Sequence, residues 1–232
     1  PDIICLSEVR CSEEISSRIK CDTYPFKYYN QSTRTERGRG AGYSGTAIWS
    51  KKEPIRIIKE LPSLKESNIE GRVLVAEYDN YYLINVYTPN SGSNEEYRIN
   101  QWDHAMLEYI NMLKLEKEVI LVGDMNVAHT QLDYHDKIPK NKRIVGLLPE
   151  EIDNFSNYIN NGLIDTFRYK YPNISTGYTW WCPFKKEFRI YNKGWRLDYS
   201  LITNGLKEKM IDSIILKDVM GSDHCPILLE LE

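Results

Sequence analysis

Acidic and amide side chains sit just beyond the C-terminal ends of apolar runs at several separated places: Glu8, Asp124 with Asn126, and Asp223 with His224. Strand ends in α/β folds are where ligands collect. Hard oxygen donors with a histidine beside them, and no cysteine partners, suit Mg2+ rather than zinc. Such an ion serves phosphoryl chemistry, because it neutralises charge building on phosphate oxygens and on a leaving alkoxide. Taken singly, an Asp-Asn or Ser-Asp-His after a strand is more often turn chemistry or a helix cap, so spacing alone does not fix a function.

The elements that would hold these residues are legible from hydrophobic period. Strands are predicted at Ile3–Leu6, Tyr43–Trp49, Arg72–Tyr78, Tyr81–Tyr87, Val119–Val122, Arg196–Ile202, Ile211–Leu216 and Ile227–Leu231, with a hairpin turn at Asp79-Asn80. Trp102, Ala105, Met106, Tyr109, Ile110 and Leu113 recur at three- and four-residue steps and predict a helix from about Glu95 to Leu115. A second helix is predicted to open after Pro149, with Ile152, Phe155 and Ile159 on one face. Of the adjacent pair Trp180 and Trp181, alternation in a strand sends one to the core. The expected class is α/β, centred on sheets.

Composition narrows the field. The chain has 232 residues, 41% hydrophobic and 27% charged, which is ordinary globular usage and excludes disordered, collagen-like and coiled-coil classes. No window approaches ~18 uncharged apolar residues, so no membrane-spanning helix is predicted, and no basic segment followed by an apolar run suggests a signal peptide. The expectation is a soluble intracellular chain. A net charge of −3 argues against indiscriminate polyanion binding and leaves local basic patches, at Arg34–Arg39, Lys137–Arg143 and Lys185–Arg196. Five cysteines without a Cys-x-x-Cys pair predict free thiols rather than a disulfide scaffold or zinc site. Seventeen Tyr and five Trp promise many flat surfaces with a polar edge.

Longer stretches say more than single residues. Pro1–Glu8, Gly42–Gly45, Glu70–Val73, Asn85–Gly92, Gly123–His129, Gly194–Tyr199 and Gly221–Pro226 resemble, in order, the signature blocks of exonuclease III type abasic-site endonucleases, members of the endonuclease/exonuclease/phosphatase superfamily. The resemblance covers nearly the whole chain. It implies a four-layered α/β sandwich of two mixed β-sheets flanked by helices, in a single domain over residues 1–232. It also implies a DNA-repair enzyme that uses Mg2+, or Mn2+ in its place, to hydrolyse the phosphodiester 5′ to an abasic site in double-stranded DNA. Accessory 3′-phosphodiesterase and 3′→5′ exonuclease activities go with it. The expected enzyme is a monomer, in the nucleus of a eukaryote or otherwise the cytoplasm.

Residue by residue, the resemblance makes Glu8 and Asp223 metal-site carboxylates, joined at the metal by Asp124 and Asn126. Asp124 would activate the attacking water or protonate the leaving oxygen, with Asn126 stabilising the transition state. His224 would contact the scissile phosphate, held by Asp198 through its other ring nitrogen, and Tyr87 would stand beside that phosphate. Tyr43, Asn90 and Asn141, the last beside Lys140, Lys142 and Arg143, match DNA-facing positions. Trp180, Trp195 and Leu197 match an apolar pocket for the extruded abasic sugar, which selects by size because a site lacking its base is cheaper to flip.

Departures are also visible. Ser7 and Val9 replace the family's usual Gln and Thr around the metal glutamate, and Asn90–Tyr97 contains no Arg. The family's first strand and following helix have no counterpart, so the reading expects an N-terminally truncated chain with impaired catalysis. Two alternatives stand beside the nuclease: a phosphatase of the same superfamily, and a non-catalytic protein that binds damaged DNA.

Overall fold

The computed structural model describes residues 1–11, 13–33, 43–64, 69–92, 94–135 and 143–232. They group into two compact units, Pro1–Pro89 with His104–Asp124 and Asn90–Asp103 with Met125–Glu232.

In the first unit, β1 (Ile3–Ser7), a short helix α1 (Glu13–Arg18), β2 (Phe26–Asn30) and β3 (Thr46–Ser50) make an antiparallel sheet in the order β1-β3-β2. A second sheet follows in the order of the chain: β4 (Arg56–Ile58), β5 (Val73–Glu77), β6 (Tyr81–Tyr87) and β7 (Glu118–Asp124). Its first three strands are antiparallel; β7 runs parallel to β6. The parallel step needs a crossover, which α2 (Asp103–Leu113) supplies. The apolar stripe predicted for it is its buried face: Ala105, Met106, Tyr109, Ile110 and Leu113. The two sheets face each other through Ile48, Leu74, Ala76, Leu83 and Ile120, all buried and, on β5, β6 and β7, on the face that Asn85 shares. Asn85 bridges them, its amide donating to Leu6 O and Ala47 O at 2.9 Å each.

The second unit holds a π-wound segment, Tyr97–Trp102, then α3 (Pro149–Asn160), β8 (Leu163–Asp165), α4 (Thr166–Lys170), α5 (Glu187–Ile190), β9 (Asp198–Thr203), β10 (Met210–Ile215) and β11 (Ile227–Leu231). β8 pairs with β9 and β10 with β11, both antiparallel. Pro149 at the first helical position and buried Glu151, whose Oε2 accepts from Leu148 N at 3.0 Å and Gly146 N at 2.8 Å, start α3. Its buried face is Glu151, Phe155 and Tyr158 rather than Ile152 and Ile159, because Tyr158 reaches Asp103 O and the polar cap must turn inward.

The strands and both helices expected from period are present. The helix predicted from Glu95 ends at Leu113, and the strand predicted at Tyr43–Trp49 begins only at Thr46. No helix among the described residues is long and apolar enough to cross a membrane.

Candidate active site

The first unit places Glu8, Tyr43, Tyr87 and Asp124 by two devices. The first is parallel register: Tyr87 ends β6, Asp124 ends β7, and the two are direct partners. Gly123 permits this, because its φ is +133° and a Cβ there would run into the Val86 carbonyl. The second is a change of backbone hand just past β1. Glu8 has φ +53°, a conformation uncommon outside glycine, and Val9 N and Arg10 N bond to Gly45 O and Ser44 O at 3.0 Å each. Such a conformation costs about 1–3 kcal/mol and is held only where surrounding bonds insist on it.

So aimed, the Glu8 carboxylate accepts the Tyr87 hydroxyl and, at 2.7 Å, Arg10 Nη2. Burial first, then the carboxylates of Glu8 and Asp124, push the Tyr87 phenol far above its ordinary range, so it stays a proton donor. Behind it Arg72, 4% exposed and paired with Glu70, donates to Tyr43 OH at 2.8 Å and Tyr87 O at 3.2 Å and stacks on both rings. Arg72 fixes both tyrosines, a role the sequence does not announce, because the first residue of a predicted strand carries no sign of which side chains it meets.

The second unit gathers Asn90, Asn126, Trp180, Trp195, Leu197, Asp198, Asp223 and His224. Asn90 Nδ2 lies 3.5 Å from Asn126 Oδ1, and Asn126 has φ +48°, which asparagine tolerates well. His224 Nδ1 lies 2.8 Å from Asp198 Oδ2. Short β-bridges join Trp195 to Trp180 and Trp180 to His224, so the histidine and the tryptophans are laid edge by edge. The indoles of Trp180 and Trp195 meet at 5.9 Å and 66°. Trp180 Nε1 donates to Asp223 Oδ2 at 3.0 Å, while Trp181 is the core member of the pair, packed with Tyr178 and Cys225. Leu197 is buried.

Thr179 was not legible as functional. Its buried Oγ1 accepts from the backbone N–H of both Leu197 and Asp198 at 3.0 Å, which pins the carboxylate that holds His224. A neutral threonine before two tryptophans gives no sequence signal of this. Asn141, with Lys140 and Lys142, lies outside the described residues. His129, from the same block as Asp124, is a packing residue: its ring is 2.9 Å from Ser156 Oγ and tilted on Phe155, and burial lowers its proton affinity.

The donors suit a hard divalent cation. Glu8 offers carboxylate oxygens, partly exposed, and burial pushes the Cys5 and Cys225 thiols up to about 12, so neither is available as a thiolate. Among the described residues no group of three or more His, Cys, Asp or Glu forms a closed cage. Mg2+ needs none, since it keeps several waters and takes one or two carboxylates plus substrate phosphate.

The profile of the Endonuclease/Exonuclease/phosphatase family matches residues 1–224. An exodeoxyribonuclease of Bacillus subtilis is 40% identical over 235 residues, covering 98% of this chain and 87% of the relative. The DNA repair nuclease APEX1 of Danio rerio is 37% identical, covering 100% of this chain and 73% of the relative. The crystal structure of the AP endonuclease LMAP from Leishmania major superposes with a TM-score of 0.87 at 27% identity, over 100% of this chain and 78% of that one. The chain therefore belongs to the endonuclease/exonuclease/phosphatase family of hydrolases, whose nucleases depend on a divalent metal.

Proposed function

We propose that this protein is a Mg2+-dependent DNA-repair nuclease that hydrolyses the phosphodiester 5′ to an abasic site, with 3′-phosphodiesterase and 3′→5′ exonuclease activity. The observation that carries the reading is the bridge ladder Trp195, Trp180, His224, with Asp198 behind the histidine: a phosphate-binding imidazole adjoins a flat apolar edge suited to a sugar without its base. A phosphatase would need no such edge.

Bound Mg2+, taken by Glu8, Asp124, Asn126 and Asp223, would supply charge neutralisation at the phosphate and leaving oxygen. The protein's own residues do the rest. Asp198 accepts from Nδ1–H, and in the imidazolium form that this carboxylate supports His224 Nε2 also carries a proton and donates to a phosphate oxygen. Tyr87, kept protonated, donates to a non-bridging oxygen. Asp124 takes the proton of the attacking water or returns one to the leaving oxygen, and the Asn126 amide stabilises the charge that develops. Tyr43, Asn90 and Asn141 contact the DNA backbone, and Trp180, Trp195 and Leu197 enclose the extruded sugar. The enzyme acts as a monomer and one functional domain on DNA inside the cell.

An abasic duplex, an intact duplex and a small phosphomonoester, each incubated with Mg2+ and with EDTA, test this. Incision of the abasic duplex alone, abolished by EDTA, is expected. Turnover of the phosphomonoester in preference would favour a phosphatase, and tight abasic binding without incision a non-catalytic damage binder.

A further inference from the structure

We propose that Arg189 is the positioning residue for His224 and Asp223, an inference that rests on the nuclease reading for its kinetic arm only. The segment from Lys217 to His224 carries both residues, and has little structure of its own. It is largely exposed, contains Gly221 at φ +123°, and enters through a turn in which Val219 N bonds to Leu216 O just before it. Arg189, on α5, reaches backbone carbonyls along the length of this loop. Nη1 donates to Ser222 O at 2.6 Å and, longer, to His224 O at 3.5 Å; Nη2 donates to Lys217 O at 3.1 Å and Val219 O at 2.7 Å. The terminal nitrogens of a guanidinium carry two protons each, and here they meet four carbonyls.

The guanidinium is fixed in turn. It stacks 4.6 Å from the centroid of Trp181, a core residue whose backbone N–H bonds to Asp223 O at 3.0 Å. Core, arginine and loop are thus one rigid stack, with the loop's last bonds made at Ser222 and His224. The carbonyl of His224 is set from one side by Arg189 while its imidazole is set from the other by Asp198. Lysine could not substitute, because one ammonium cannot span carbonyls at both ends of an eight-residue loop, whereas the planar fork can.

The test uses the full chain with Arg189→Ala and Arg189→Lys. Two readouts are followed: single-turnover incision of an abasic duplex with Mg2+, and the His224 ring-proton resonance, which reports the Asp198 bond without any substrate. For Arg189→Ala we expect kcat to fall about 10²-fold, the cost of displacing a reacting group by about 1 Å, with KM changed far less. The His224 resonance should shift or broaden, and added methylguanidinium should restore both while ethylammonium does not. Arg189→Lys, which keeps the charge and folds if Ala does not, should remain impaired. An unshifted His224 resonance and near wild-type kcat in either variant would overturn the proposal. A wild-type chain inert toward the duplex would overturn the nuclease reading instead, while the resonance still decided the role of Arg189.

Discussion

Asp198 Oδ2 stands 2.8 Å from His224 Nδ1, and the backbone N–H of Asp198 is itself held by Thr179. The carboxylate therefore holds a proton on Nδ1 and fixes which way Nε2 points. Asp198→Ala should leave the imidazole free to rotate and without the anion that supports its doubly protonated form. Loss of one oriented donor typically costs about 10²–10³ in rate, and single-turnover incision should show a fall of that size with duplex affinity nearly unchanged. Wild-type turnover in the variant would remove His224 from the phosphate.

Tyr87 gives a second expectation, with a definite sign in pH. The phenol's affinity for its proton is raised by burial and by Glu8, so the donor form persists past the ordinary phenol value near 10. The alkaline limb of the wild-type rate profile should not be set by this tyrosine. Tyr87→Phe should lower kcat at every pH, by about 10²-fold if the hydroxyl meets a transition-state oxygen, and leave the shape of the profile unaltered. A profile that changes shape would show that Tyr87 titrates.

Trp195 lies edge-on to Trp180, so removing it opens the apolar edge without touching a basic residue. Trp195→Ala should reduce the ratio of abasic to intact cleavage more than it reduces DNA binding. Measuring both duplexes side by side decides it: an equal fall in the two would mean that the indole packs and does not select.

What the sequence made legible follows from where charge and period coincide. Tyr81–Tyr87 and Ile227–Leu231 are strands with the bounds expected, since each alternates or runs apolar between clear breaks. Phe26–Asn30 went unread, its Lys27 and two tyrosines lying on a half-exposed strand with no apolar face to betray it, and Arg56–Ile58 and Leu163–Asp165 are three residues long, below any period. In the site, Glu8, Asp124 and His224 announce themselves at the ends of apolar runs. Arg72, Thr179 and Arg189 do not, because an arginine that serves backbone carbonyls or a tyrosine is written with the same letter as a solvated one, and only the fold shows which neighbours it meets.

Salt dependence should be shallow. The net charge is −3, and Arg143, beside the expected DNA-facing loop, is already engaged by Glu95 at 2.6 Å and Glu150 at 3.2 Å. With about five phosphate contacts the log–log slope of affinity against salt would be near −4 to −5. Titration of an abasic duplex across salt concentrations checks this, and a slope near −10 would require a cationic face far larger than the described residues offer.

The last expectation concerns acid stability and comes from the second unit. Asp133 is wholly buried, and burial alone would raise its pKa; instead Arg196 and Arg168 hold it down to about 2. Its Oδ1 accepts Arg168 Nη2 at 2.5 Å and Arg196 Nε at 2.7 Å, its Oδ2 accepts Thr130 N and Oγ1, and Arg196 is also forked onto Asp165. A carboxylate depressed in the folded state adds stability that is complete above its unfolded value near 4 and is lost as pH falls through the folded value. A carboxylate held near 2 rather than near 4 contributes about 2–3 kcal/mol, which disappears between pH 4 and pH 2. Asp133→Asn leaves two arginines with one partner fewer in a dry site, and should cost about 3–5 kcal/mol at neutral pH. Denaturant unfolding of wild type and variant from pH 7 to pH 2 should therefore give two curves that lie apart at neutral pH and draw together by about 2–3 kcal/mol as pH falls from 4 to 2. A gap that stays constant to pH 2 would show that the charge on Asp133 contributes nothing and that its neutral hydrogen bonds are what the fold uses.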